Sequence, residues 1–393
     1  MERTPWGKQA LLSSLFFVIG AELYLLTPLI PLIADAFDVD VATAALTVAA
    51  YSVTYACVSP IMGVIGDRMT RRSAVVAGAA IFVVGGAISA ASPVFAVLIA
   101  GRAISGAGGA MIGPTIWAYA AETAIPSERG KATSRVAAIF ASGQIVGVPL
   151  GSLLAAFASW RWVFVVLAVS LGGLALVILL RLGEEERVPQ RNSPFLRSFL
   201  TSAQLWRRRR FTFLVVSNLF GQGARNATYA FAGALFALRF DFDVVQIGVL
   251  GAAVGLSSLL GALVSGFWID SFRARDRNPA RVNIVNGLLL TGGLVAATLG
   301  DQEWVCILGF LVSNFGGSGF ISGSQGMLVA AYPHMRASAG SWNTSAMWAG
   351  TALGTFVLGG TLLGSVGFAA VSVTMAMLAT AAGAAVLLGN RER

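Results

Sequence analysis

Few side chains in this sequence could do chemistry inside the apolar runs that dominate it, and the first is Glu22. It is the only acidic residue deep within such a run. Counting back from a run end near Asp35, about thirteen residues at about 1.5 Å each place it about 20 Å inside. A carboxylate at that depth is costly when ionised, and a nearby Arg102 or Arg225 would offset the cost, so a proton there can be exchanged as the surroundings change. Glu22 is therefore the candidate proton-coupling acid; the alternative is an acid kept neutral by interhelical hydrogen bonds. Arg225, about 20 Å along its helix from the nearer end, could hold an anionic group or a carboxylate from elsewhere in the chain.

Other polar groups inside apolar runs are Asn226, Asn314, Gln325 and Asn343. With Tyr24, Trp342, Trp348 and Arg225 they could line a central cavity for a partly aromatic or polar solute, or serve as interhelical hydrogen bonds. Cys57 and Cys306 both lie in apolar runs, which leaves neither a disulfide framework nor a zinc site, and no metal is expected. The single histidine, His334, reads as a loop residue. No P-loop, kinase signature or hydrolase triad occurs, so no cofactor and no enzymatic activity are expected. Asn226-Ala-Thr228 and Asn343-Thr-Ser345 match glycosylation acceptors inside apolar runs, where they cannot be reached, and Gly106-Ala-Gly108 follows no strand.

The elements that must position these groups are set by composition. Of 393 residues, 56% are hydrophobic and 11% charged, against roughly 25% charged in soluble domains. Apolar runs of about 20 residues predict membrane-spanning helices, at roughly 9–34, 42–66, 73–92, 95–120, 132–157, 160–181, 211–238, 244–270, 281–299, 303–332, 338–362 and 365–389. Arg3 and Lys8 before the first run imitate a secretory signal, but the run continues far enough to span and reads as an uncleaved helix. The 182–210 interruption carries Glu184, Glu185, Glu186 and Arg207 to Arg210, and divides the spans six and six. An N-terminal bundle at 1–181, a cytoplasmic linker at 182–210 and a C-terminal bundle at 211–393 are expected.

The net charge of +9 resides in short loops, which points to an anionic membrane leaflet and not to nucleic acid. Arg68, Arg71, Arg72, Arg129, Lys131, Arg135, the linker, Arg273, Arg275, Arg277, Arg281 and Arg336 fall on one side. Only Arg161 and Arg239 fall on the other, beside Asp35, Asp38, Asp40, Asp241, Asp243, Asp301 and Glu303. The positive-inside rule then makes both termini cytoplasmic. The halves also repeat: Gly63-Val-Ile-Gly-Asp67-Arg68-Met-Thr-Arg71-Arg72 follows the second span, Gly266-Phe-Trp-Ile-Asp270-Ser-Phe-Arg273 follows the eighth, and 270 − 67 = 203.

Over essentially its whole length the chain resembles a major facilitator superfamily transporter, of the twelve-helix drug and metabolite:proton antiporter branch that includes arabinose-type and purine-type exporters. Gly63, Asp67, Arg68, Arg71 and Arg72 fall where that family has its loop signature, with Thr70 in place of the usual glycine. The resemblance implies an all-α membrane protein, twelve helices in two pseudo-symmetric six-helix bundles. A gating latch at the cytoplasmic rim would be built from these residues with Asp270 and Arg273; a purely topogenic role for the arginines is the alternative. Leu98-x-x-x-Arg102-x-x-Ser105-Gly106 resembles a second family motif and assigns Arg102 to proton or substrate handling, against snorkelling to the nearer surface. Gly143-x-x-x-Gly147-x-Pro149-Leu-Gly151 resembles the antiporter motif, with proline one residue late; its small residues permit close helix packing. Pro126 to Ala132 and Trp160 to Phe164 match the branch more loosely. The implied function is export of a drug, nucleoside, sugar or related metabolite in exchange for protons, by a monomer in the inner membrane with the lipid bilayer around it. Proton-coupled uptake or facilitated diffusion is the alternative, and an integral-membrane enzyme or sensor a remote one.

Overall fold

The computed structural model describes residues 6–65, 69–124, 129–182, 195–275, 278, 280–332 and 335–388. The first half holds α1 (Trp6–Phe37), α2 (Val41–Ile65), α3 (Arg71–Ala90), α4 (Phe95–Thr123), α5 (Arg129–Phe157) and α6 (Trp160–Arg181). A short helix α7 (Phe195–Ala203) and a 3-10 turn (Gln204–Arg207) precede α8 (Arg209–Gln222). The seventh column continues through a π turn (Gly223–Ala227), α9 (Thr228–Ala230) and α10 (Ala232–Phe240). Then come α11 (Val244–Ala274), α12 (Ala280–Leu299), α13 (Glu303–Ala331), α14 (Arg336–Gly359) and α15 (Val366–Leu388). No strand occurs among the described residues.

Local chemistry sets the helix starts. The Thr43 N–H donates to Asp40 Oδ1 (2.6 Å) at the start of α2. That bond and the Thr43 hydroxyl hold the Asp40 carboxyl below its usual range. Asp243 and Gln246 form a reciprocal capping pair at α11, with Gln246 N–H donating to Asp243 Oδ1 at 2.7 Å and Asp243 N–H to Gln246 Oε1 at 2.9 Å. α1 bends by about 40° between Trp6–Glu22 and Tyr24–Phe37. Pro28 explains the place, since it cannot donate to the Tyr24 carbonyl and its ring crowds that carbonyl.

Among the described residues nine helices are long and apolar enough to cross a membrane, ten if the two arms of α1 count as one. The seventh and eleventh of the twelve expected spans fall short for different reasons. The π turn breaks the seventh, which the sequence reads as one continuous helix over 211–238. α14 is unbroken but carries Ser338, Ser341, Asn343, Thr344, Ser345, Thr351 and Thr355. Residues 221–236 of the seventh span are buried in protein, which permits the break, whereas α14 keeps its polar residues buried or half-buried and turns Leu353, Phe356 and Val357 outward.

The two halves repeat one packing scheme. α3 lies against α4 and α6, α2 against α4, and α1 against α5; correspondingly α12 lies against α13 and α15, α11 against α13, and α8 against α14. Across the halves α2 packs on α14, and α11 on α5. The sequence carries the same repeat in places not anticipated from the loop motif. Phe37-Asp38-Val-Asp40-Val41 recurs as Phe240-Asp241-Phe-Asp243-Val244, with left-handed Asp38 (φ 51°) and Asp241 (φ 53°) at equivalent corners and 241 − 38 = 203. Before the π turn the offset differs: Gly143 abuts the Phe17 carbonyl and Gly350 the Leu219 carbonyl, and 219 − 17 = 202. The π turn is therefore one inserted residue within an otherwise matched pair of spans, and Arg225 sits inside it.

Candidate functional site

The glycine face of α5 delivers Glu22. A side-chain carbon at Gly143 would strike the Phe17 carbonyl and one at Gly147 would strike Ala21, while Gly151 faces Leu25, so α1 lies directly on α5 at the residue before Glu22. Pro149 faces the other way, toward Gly248 of α11. Gly143, Gly147 and Gly151 thus pack α5 against α1, and Pro149 borders the seam between halves.

Glu22 meets Arg102 of α4, with Arg102 Nη1 2.5 Å from Glu22 Oε1 and both side chains 2% exposed. Oε1 has no well-aligned hydrogen bond at this contact. Arg102 Nε donates to the Thr47 carbonyl (3.4 Å), and its guanidinium lies over the rings of Tyr51 (4.7 Å) and Phe164 (5.6 Å). Arg102 is therefore turned inward and does not snorkel. Tyr51 then links the pair to the seam: its ring is 5.3 Å from Trp348 of α14, and Tyr55 stacks on Trp348 at 4.5 Å and 26°. The buried Tyr51 hydroxyl borders the Glu22 carboxyl, though without a well-aligned hydrogen bond. Tyr51 and Tyr55 were not singled out in the sequence; two tyrosines four apart in an apolar span were the available signal.

The second half contributes a separate polar set. Tyr24 packs on Tyr229 (4.7 Å) and donates to Asn314 Oδ1 (3.4 Å), which joins α1 to α9 and α13. Asn218 donates to Asn343 Oδ1 (2.7 Å), and Asn343 donates to Gln325. Asn343 and Gln325 thus make the interhelical bonds that were one of their two readings. Arg225 Nη2 donates to Gln222 Oε1 (3.2 Å), its Nε has no partner, and it forms no salt bridge among the described residues. Neither amide atom of Asn226 has a partner. Trp342 stands apart from the cavity group with which the sequence placed it. Its Nε1 donates to Ser202 (3.2 Å) and its ring meets Phe199 and Trp206, because its position on the first turns of α14 brings it under the linker helix.

At the loop signature, Gly63 falls on the last turns of α2, while Asp67 and Arg68 lie outside the described residues, as do the side chains of Asp270 and Arg273 on α11. Arg71 is buried at the start of α3. Arg72 donates to the Leu179 carbonyl of α6, a tie within the first half. Among the described residues no group of three or more His, Cys, Asp or Glu could hold a metal. Two shallow surface hollows lie elsewhere, one between α3 and α6 at Val83 and Val169 and one between α11 and α12 at Phe267 and Val285, the latter also lined by Arg275 and Arg281.

A buried acid–base pair beside an aromatic seam between two pseudo-symmetric bundles is the architecture of a membrane carrier, and known proteins agree. The "Uncharacterized MFS-type transporter YceJ" of Bacillus subtilis (strain 168) is 28% identical over 88% of this chain and 87% of its own. A "Chloramphenicol resistance protein" of Streptomyces lividans is 29% identical over 88% and 86%. The crystal structure of a bacterial homolog of the human lysosomal transporter Spinster superposes with a TM-score of 0.77 over 98% of this chain and 96% of that one, at 14% identity. Residues 12–312 match the Major Facilitator Superfamily, and with helix order, pseudo-symmetry and relatives in accord the chain belongs to that family of multi-pass membrane transporters.

Proposed function

We propose that this transporter exports a small molecule in exchange for protons by alternating access, with Glu22 as the proton carrier and Arg102 as the group that sets when it is charged. The observation that carries this reading is the enclosed Glu22–Arg102 pair, joined through Tyr51 to the Trp348 seam, so that a movement of α2 against α14 changes the surroundings of the carboxylate. The relative named for chloramphenicol resistance supports export. In this reading bundles 1–181 and 211–393 rock about the site as one monomer in the inner membrane. The 182–210 linker and both termini are cytoplasmic, and Asp67, Arg68, Asp270 and Arg273 work at the cytoplasmic rim.

Everted vesicles with an acid interior and a pH-sensitive dye test it. Addition of an exported solute dissipates the gradient in the wild type and not in Glu22→Gln at equal membrane abundance. An undiminished response in the variant refutes proton carriage by Glu22. A second reading, uptake of solute together with a proton, is favoured by one observation: among the described residues Arg225 has no counter-charge, and a monoanion with a proton is neutral.

A further inference from the structure

Arg225 is 7% exposed and Asn226 5%, both inside the π turn of the seventh column. The described partner of the guanidinium is the neutral Gln222, and Nε and both amide atoms of Asn226 are unpaired. A buried guanidinium with no acid beside it is strongly unfavourable, and a half-satisfied polar cluster more so. The site is built all the same. Gly317 of α13 makes room for the stem, since a side-chain carbon there would stand 2.7 Å from Arg225 Cδ. The pseudo-symmetry places Arg225, to within the residue that the π turn inserts, where Glu22 lies in the first half, since 225 − 22 = 203. Glu22 has Arg102 opposite it. In the second half the column equivalent to α4 is α13, and it carries no acid between Trp304 and Ala331. The repeat has kept the position and left its charge open. Tyr229, three residues beyond Asn226, reaches Tyr24 of the first half, so this segment borders the seam between halves.

We propose that Arg225, with Gln222 and Asn226, is the seat for a carboxylate on the transported solute, so that the substrates are small organic monoanions. One uncompensated positive charge calls for one negative charge, and the two amides supply the further donors that a carboxylate accepts. This inference rests on the chain being a transporter and not on Glu22 carrying the proton or on the direction of proton flow.

The full-length protein in nanodiscs is tested with benzoate against benzamide, and acetate against acetamide, at fixed ionic strength, by thermal shift and tryptophan fluorescence. Wild type is expected to bind the carboxylate of at least one pair about tenfold or more tighter than its amide. Arg225→Gln is expected to lose the preference, and Arg225→Lys, which keeps the charge, to retain part of it and to serve should the glutamine variant fold poorly. Equal binding of acid and amide, no binding of either acid, or a preference that survives in Arg225→Gln overturns the proposal. Glu22→Gln should leave the preference in place, which separates failure of this site from failure of the proton-coupling reading.

Discussion

Glu22 and Arg102 hold each other at 2.5 Å with water excluded from both, and such a pair behaves asymmetrically under mutation. Removal of one partner strands the other in the interior, whereas removal of both replaces a costly pair with packing. Arg102→Met is therefore expected to destabilise the protein by about 3–5 kcal/mol, read as a drop in unfolding temperature. The double variant Glu22→Leu/Arg102→Met should recover most of that loss. A single variant as stable as wild type would show that the pair is open to water. Tyr51→Phe keeps the ring over Arg102 and removes the hydroxyl that borders Glu22 without a well-aligned hydrogen bond, so folding should change by no more than about 1 kcal/mol. A changed pH dependence of transport in that variant would place the hydroxyl in proton handling; an unchanged one would leave the ring as its contribution. The depth of Glu22 was legible from position in an apolar run. Which arginine meets it was not, because Arg102 and Arg225 are equally polar interruptions and only helix packing tells them apart.

At the scale of helices, position follows from glycines. Gly147 lets α5 touch α1 at Ala21, whereas Gly173 on α6 has open space where a side chain would go. Gly147→Val should cost about 1–3 kcal/mol through overpacking. Gly173→Ala should be neutral or stabilising by about 0.5–1 kcal/mol, as expected of alanine for glycine in a helix. Thermal unfolding of both variants checks the contrast, and equal losses would rule out the α1–α5 contact. Span boundaries were readable to within a few residues because lipid demands long apolar helices. The break in the seventh span was not, since a π turn leaves composition unchanged and shows only as a one-residue slip between the offsets of 202 and 203.

For the whole molecule, function requires the bundles to separate at one end while closed at the other. At the end opposite the linker α14 meets α2 where a carbon built on Gly359 lies 3.5 Å from Ala42 Cβ, a separation that suits a disulfide at about 3.5–4.5 Å. With Cys57 and Cys306 replaced by serine, Ala42→Cys/Gly359→Cys is expected to cross-link under mild oxidant and to stop transport until reduced. Transport at the unlinked rate by cross-linked protein would show that this end does not open in the cycle. Nearer the linker, Ser345 donates to the Ala56 carbonyl (2.6 Å) and Ser59 to the Ser341 carbonyl (3.4 Å) across the same pair of helices, so α2 and α14 are in contact along most of their length.

By itself the sequence determined what one-dimensional patterns encode. Apolar runs specify helices in lipid, and a repeated G-x-x-x-D with arginine specifies duplicated halves. An acid within an apolar run specifies a group that must find a partner or a proton. Tertiary structure alone decided the pairings: Glu22 with Arg102, Arg72 with its own half, Trp342 with the linker, and Arg225 with no acid among the described residues. Burial makes each charge depend on its neighbours, and neighbours separated by 80 residues in sequence (102 − 22) become adjacent only when two helices are packed.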